Sequence, residues 1–430
     1  MKGQRPPAIA AFFREFFCTF NLMLAKDNRK IKSIIPMRRF QIPLACIALL
    51  LTLPQCQKDK PDPLQTYFSA GTIPSAIMGT IDDKGTTHFY AFGPSVWGGK
   101  DTVNADNIFR IYSMTKAIAS VAAMQLVEQG KLTLDDPLNT LMPEMAAIPI
   151  LDETGTLVPN SDPITLRQLL THTSGFAYTF TSSRLSSFKP DHWEYTDNPR
   201  IFKPGTGWNY GTSTDWVGRT IEKVTGKDLE TYLRENVTGP LKMESTWFNV
   251  PASMQDRIVS WGSRDSTGAI KEYPRLPEKP TTVFSAGGGL FSSPNDYLKF
   301  LHCMLNDGES NGVRILKRET VELMLKDNLP AGVKLHYEVA ADPDSLFGGH
   351  ADMEDRWGLA WAIETNKNEK VRPMNSVYWA GAANSYYTLD VKNKIAMVYF
   401  TQFFPFNDRE SYNFYKLFEK EVYRKIANSQ

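Results

Sequence analysis

Ser113 stands three residues before Lys116 at the point where a long apolar helical pattern begins, in Phe109-Arg110-Ile111-Tyr112-Ser113-Met114-Thr115-Lys116-Ala117-Ile118. On a helix, positions i and i+3 share a face, so the lysine amine reaches the serine hydroxyl from the next turn. A lysine desolvated by burial tends to the neutral form, and a neutral amine is a base for that hydroxyl. Ser113 is also expected to open the helix, where unsatisfied N–H groups and the positive dipole end favour a developing oxyanion. Ala117 to Gln129 carries Ile118, Val121, Ala122, Met124, Gln125 and Leu126 at helical spacing and stops at Gly130, which gives Lys116 a helix of about four turns. A second serine with the same spacing, Ser186 before Lys189, is followed by Pro190, which disfavours helical geometry at Lys189 and removes the shared face.

The 430 residues, 42% hydrophobic and 22% charged, are sufficient for a large buried core. A net charge of +1 provides no basic field for nucleic acid, and nucleic-acid binding is not expected. Cysteines at 18, 46, 56 and 303 have no metal-type spacing, and Cys303 reads as a buried thiol. No His-Glu-x-x-His pair is present, and His350, Asp352 and Glu354 fall in a loop composition that reads as solvated, so neither a metal nor another cofactor is implied.

Met37-Arg38-Arg39 precedes an apolar run from Ile42 to Leu53, too short for a membrane span and right for the core of a signal peptide. The run ends at Leu53-Pro54-Gln55-Cys56, which resembles a bacterial lipoprotein signal with Cys56 as the lipidated residue, although Pro54 and Gln55 depart from the usual small residues. A plain secretory signal or an uncleaved anchor is the alternative. The expected organisation is therefore an upstream extension over 1–36, a signal over 37–56, a linker over 57–66 and one globular region over 67–430. The envelope location and a membrane contact through the lipid anchor go with that reading.

Within the globular region, Ser75 to Ile81, the turn Asp82-Asp83-Lys84-Gly85 and Thr86 to Phe92 read as a hairpin. Residues 131–285 mix short helices with Pro- and Gly-rich loops, among them Asp215 to Val224 and Leu229 to Glu235. Ser293-Pro294 opens another helix that runs to near Gly308. Trp357–Ile363, Val377–Ala380, Tyr386–Val391 and Ile395–Thr401 read as strands, and Asn407-x-x-Glu410 as the cap of a terminal helix. The expected fold class is α/β (α+β): an antiparallel sheet built from both chain ends, flanked by helices, with a mostly helical second lobe over about 131–285.

The order of these pieces resembles the serine β-lactamase-like superfamily, in particular its class C β-lactamase, esterase and D-aminopeptidase group, with penicillin-binding proteins as further relatives. The resemblance runs from about Tyr67 to Gln402, through Ser113-x-x-Lys116, Leu134-Asp135-Asp136-Pro137, Leu169-Leu170-Thr171-His172-Thr173-Ser174-Gly175, Pro204-Gly205 and Ala286-Gly287-Gly288-Gly289. It implies an acyl-enzyme serine hydrolase with Ser113 as nucleophile and Lys116 as base, and it aligns Tyr210 with a second base inside a Tyr-x-Asn triplet. Thr212 stands where that asparagine would be, with Ser213 beside it, which is similar to family esterases. The third family element, Lys-Thr-Gly or His-x-Gly, is here Trp379-Ala380-Gly381 followed by Ala382. Its missing cation removes a partner for substrate carboxylates. The backbone amides of Ser113 and Ala382 are the expected oxyanion donors, and Tyr112, Thr212, Ser213, Trp379, Ala380 and Gly381 the expected lining. His172 is assigned to a structural turn. The substrate expected is a small ester, an amide or a cell-wall fragment. An esterase is favoured over a β-lactamase or D-Ala-D-Ala carboxypeptidase or D-aminopeptidase, and a non-catalytic penicillin- or peptidoglycan-binding protein is the rival outside enzymes. The sequence does not assign an oligomeric state.

Overall fold

The computed structural model describes residues 62–275, 280–335, 355–365 and 372–429. The described residues lie in one compact unit, Pro61–Gln430. The expected extension, signal and Cys56, and the loop carrying His350, Asp352 and Glu354, lie outside the described residues.

The chain begins with α1 (Pro63–Ala70) and enters a central sheet through β1 (Ala76–Asp82) and β2 (Thr87–Phe92). The turn between them is pinned by the Asp82 carboxylate, which accepts from the Lys84 and Thr86 amides at 3.0 and 2.7 Å. Gly85 supplies the left-handed backbone that the turn needs, at φ 84°. Near the other end, β3 (Arg356–Trp357), β4 (Ala362–Ile363), β5 (Val377–Gly381), β6 (Ser385–Asp390) and β7 (Ile395–Phe400) complete a seven-stranded sheet in the order β3-β4-β5-β6-β7-β1-β2. Every pairing is antiparallel, and β7 closes on β1 with Ile77 opposite Phe400. The expected strand Trp357–Ile363 is thus two short strands folded on each other, because Gly358 turns the chain tightly and its Cα passes so close to Met324 O that an added Cβ would sit 2.3 Å away.

Both faces of this sheet are covered, so β5 and β6 are buried at every position and do not alternate apolar with polar. Tyr386 on β6 stacks on Tyr415 of the terminal helix α6 (Arg409–Ser429) at 4.9 Å, and Tyr387 faces Tyr297 of α4 (Pro294–Leu305) on the opposite side at 5.4 Å. Ser293 caps α4 by accepting from the Asp296 amide, with Pro294 in the first turn. The cap of α6 departs from expectation. Asn407 adopts φ 57° and Asp408 accepts from the Ser411 amide at 3.0 Å, while the Glu410 carboxylate is drawn away to Thr72 Oγ1 at 2.7 Å and Arg264 at 3.1 Å.

The helix after Ser113, α2 (Thr115–Glu128), is buried without a break from Thr115 to Leu126 and forms the centre of the molecule. Its apolar residues surround it, as a helix enclosed on all sides requires. It packs against α3 (Ser213–Thr225) and the helical turns that follow, Leu229–Leu233 and a wider turn over Arg234–Thr238 where one regular helix was expected. Gly226, at φ 65°, ends α3. Among the described residues no helix is long and apolar enough to cross a membrane.

Candidate active site

Ser113 does not sit in the α-helix. It is the middle residue of a 3₁₀ turn, Tyr112–Met114, that precedes α2, and Tyr112 is held at φ 45°, an unfavourable backbone for a tyrosine. Neighbours fix that turn from several sides. The Ile111 amide donates to Leu290 O at 2.9 Å, Tyr297 Oη donates to Met114 O at 3.0 Å, and Tyr112 rests edge-on against Phe404. Met114 and Thr115 are buried but Ser113 is only partly covered, so its hydroxyl can meet a substrate.

Lys116 Nζ reaches Ser113 Oγ at 3.3 Å, as the spacing predicts, and also donates to Tyr178 Oη at 3.1 Å and Gly287 O at 2.6 Å. It lies 4.6 Å from the ring centre of Tyr210. The expectation of a neutral lysine is corrected here. Burial works against the ammonium, but the nearby Tyr178 hydroxyl and Tyr210 ring and the Asp215 carboxylate favour it, and together they hold Lys116 above its ordinary range. The resting group is therefore a buried cation with three oxygen partners. Burial also pushes the Tyr178 hydroxyl up, against the pull of Lys116.

Tyr210 is brought to the same place from the loop before α3. Trp379 Nε1 donates to Tyr210 Oη at 3.0 Å, and the two rings lie 4.9 Å apart. Trp379, expected to line the site, is almost fully buried and supports Tyr210 instead. His172 packs 4.7 Å from the Tyr210 ring, adopts φ 57° and accepts from the Gly211 amide at 3.4 Å. Burial, aided by Lys116, keeps its imidazole well below its ordinary range, so it is a neutral support for the tyrosine loop.

Two expected lining residues have their hydroxyls committed to other partners. Ser213 is fully buried with its hydroxyl on Ser174 at 2.8 Å, because it opens α3 on the side facing the core. Thr212 Oγ1 donates to Asp197 Oδ2 at 2.6 Å, next to Trp216 Nε1 at 2.9 Å, and so holds the start of α3. Ala380 lies within β5, buried and opposite Tyr386. Gly381 has a definite reason to lack a side chain: an added Cβ would lie 2.3 Å from Ile111 O. That close approach brings the end of β5, and the partly exposed Ala382 after it, against the Ser113 turn.

Sequence reasoning missed Tyr178, Gly287, Asp215 and Arg110. Tyr178 lies three residues past the Thr-Ser-Gly element, but its contact with Lys116 spans 62 positions and only folding creates it. Thr181 ties this loop to the Tyr210 segment by donating to Asn209 Oδ1 at 2.8 Å and Tyr210 O at 2.7 Å. Arg110, three residues before the serine, lies against the Tyr112 ring at 5.0 Å, and its buried Nε has no partner among the described residues. Among those residues there is also no group of three or more His, Cys, Asp or Glu side chains arranged to hold a metal.

With this geometry established, comparison with known proteins decides the family. The beta-lactamase family profile matches residues 62–420. The chain belongs to the beta-lactamase family. Among relatives of this beta-lactamase family member, the monacolin J acid methylbutanoyltransferase of Aspergillus terreus is 30% identical over 386 residues, which is 82% of this chain and 92% of that protein. The lovastatin esterase of Penicillium rubens is 28% identical, over 84% of this chain and 97% of its own. A mutant of the simvastatin synthase of Aspergillus terreus superposes with a TM-score of 0.75 at 28% identity, covering 85% of this chain and 98% of that one. The protein is accordingly an enzyme of the serine hydrolase type, with the β-lactamase and transpeptidase-like fold that the element order predicts.

Proposed function

We propose that this enzyme transfers acyl groups from small esters through an acyl-serine at Ser113, to water or to an alcohol acceptor. The observation that carries the reading is the 3.3 Å bond between a partly accessible Ser113 Oγ and a buried Lys116 that also meets two tyrosines. Ser113 Oγ attacks the acyl carbonyl, and the Ser113 and Ala382 amides receive the oxyanion. Lys116 and Tyr210 work as one unit that shares a proton. It takes the serine proton, passes it to the departing alkoxide, later takes one from the incoming water or alcohol, and returns that proton to Ser113 Oγ as the acyl–serine bond breaks. Acyltransferases and an esterase among the relatives support ester chemistry over β-lactam turnover. So do Thr212 and Trp379-Ala380-Gly381 in place of the asparagine and the basic third element.

Arg110, three residues before the serine in the chain and set over the Tyr112 ring, is the candidate for the cation that the third element lacks. A partly exposed guanidinium over Tyr112 would suit a carboxylate on the acyl acceptor or donor. Lipidation at Cys56 and an envelope location belong to the same proposal, and incorporation of an azido fatty acid into wild type but not Cys56→Ala tests them.

The deciding experiment uses residues 57–430 with p-nitrophenyl butyrate and nitrocefin, in water and with added alcohol, followed by mass spectrometry of the enzyme. A Ser113 acyl adduct and ester turnover lost in Ser113→Ala are expected, with nitrocefin hydrolysed far more slowly. Turnover that persists in Ser113→Ala overturns the reading. A nitrocefin adduct without any turnover favours a binding protein.

A further inference from the structure

Asp215 lies five residues after Tyr210, in the first turn of α3, and is half-buried. Its Oδ1 accepts from the Gly287 amide at 2.9 Å and from Ser285 Oγ at 2.7 Å. The other end of the same residue, Gly287 O, accepts from Lys116 Nζ at 2.6 Å. The Ser285–Gly289 turn is closed by the Gly288 and Gly289 amides on Ser285 O, at 3.2 and 2.9 Å. An added Cβ on Gly287 would stand 2.5 Å from Asp215 Oδ2, so a side chain there has to displace that carboxylate.

We infer that Asp215 is a positioning residue for the reaction proposed above: it clamps the Ser285–Gly287 turn so that one peptide carbonyl, Gly287 O, fixes the Lys116 ammonium between Ser113 and the tyrosines. The inference rests on Ser113 and Lys116 being the reacting pair. Two contributions combine in one side chain. The carboxylate sets the direction of the Gly287 peptide, and its charge adds to the potential that keeps Lys116 protonated. Because Asp215 shares a short stretch with Tyr210, the segment that delivers the tyrosine also sets the lysine. The charged and titratable groups facing Lys116 are Tyr178, Tyr210 and Asp215, with His172 close enough to feel it and Asp197 near Asp215.

The test compares wild type, Asp215→Asn, Asp215→Ala and Gly287→Ala in residues 57–430, measuring kcat and KM for p-nitrophenyl butyrate across pH, with Ser113→Ala alongside and thermal unfolding for each. Asp215→Asn keeps the shape and an acceptor oxygen. It is expected to hold kcat within about threefold while the pH midpoint of kcat/KM moves down by roughly half a unit or more, because an anion near the ammonium has gone. Asp215→Ala and Gly287→Ala free the turn and are expected to lower kcat about tenfold or more, with KM within about twofold, as loss of alignment does. If both Asp215 variants keep the wild-type kcat and pH midpoint while Ser113→Ala is inactive, the clamp is overturned and the site reading stands. If both lose activity in step with stability and with an unmoved midpoint, Asp215 is only structural and the inference also fails. A fully active Ser113→Ala overturns the site reading and this inference with it.

Discussion

At the scale of single residues, the site depends on which hydroxyl each donor engages. Trp379→Phe keeps most of the ring packing on Tyr210 but removes the 3.0 Å bond to its hydroxyl. A net hydrogen bond of about 0.5–1.5 kcal/mol corresponds to a loss of roughly two- to twelvefold in kcat, which steady-state ester hydrolysis will read, with KM little changed. Arg110→Ala is expected to raise KM for acid-bearing substrates at least about tenfold and leave neutral esters nearly unaffected; equal effects on both would refute the carboxylate role. His172 gives a pH prediction with a definite sign. Its imidazole is held well below the ordinary value in the fold, so below about pH 6.5 the unfolded chain binds a proton that the folded chain refuses. Stability from this group is fully present above that pH and is lost as pH falls, by up to about 1.4 kcal/mol per unit. Urea unfolding between pH 7 and 5 should show a steeper decline for wild type than for His172→Gln.

At the scale of elements, each helix that delivers a site residue begins or ends on one local device. Ser293 starts α4, whose Tyr297 hydroxyl supports the turn that carries Ser113. Ser293→Ala is expected to cost about 1 kcal/mol of stability, seen as a lower urea midpoint with an unchanged slope. The hairpin of β1 and β2 and the helices α2, α3 and α4 were legible because their signals are local: Asp82 with Gly85, Gly130, Gly226, and Ser293 with Pro294. The split of Trp357–Ile363 and the cap at Asp408 were not legible. The first depends on Gly358 meeting α5 (Arg318–Leu325) and its Met324 carbonyl, and the second on Glu410 being taken by Thr72 and Arg264. Propensity within a short window contains no record of a partner tens to hundreds of residues away.

At the scale of the whole molecule, the sheet joins the two ends of the globular region, and one buried ion pair lies against β5 and β6. Arg372 meets Glu419 of α6 at 3.2 Å, lies over the Tyr378 ring at 4.1 Å, and Glu419 also accepts from Thr388 Oγ1 at 2.6 Å. Glu419→Gln leaves the buried guanidinium without its counter-charge and is expected to destabilise the protein by about 3 kcal/mol or more in urea unfolding. Cys303, the only cysteine after residue 56, reports on the same global event. Burial pushes its thiol up to about 12, so Ellman's reagent should label native protein only as fast as it unfolds.

The sequence by itself determined the chemistry on offer and the plan of the fold. A serine and a lysine one helical turn apart, a tyrosine at its place in a motif order, and strands at both ends of the region are statements about near neighbours and about order, which a linear chain records directly. Only the tertiary structure decided how that chemistry is set. It made Lys116 a cation where burial alone argued for a neutral amine, and it supplied Tyr178 and the Gly287 carbonyl as partners. It also turned Ser213 inward and gave Trp379 the task of holding Tyr210. The reason is electrostatic and geometric: the state of a buried charge is the sum over groups brought within a few ångströms by folding, and that sum has no value until the chain has closed around it.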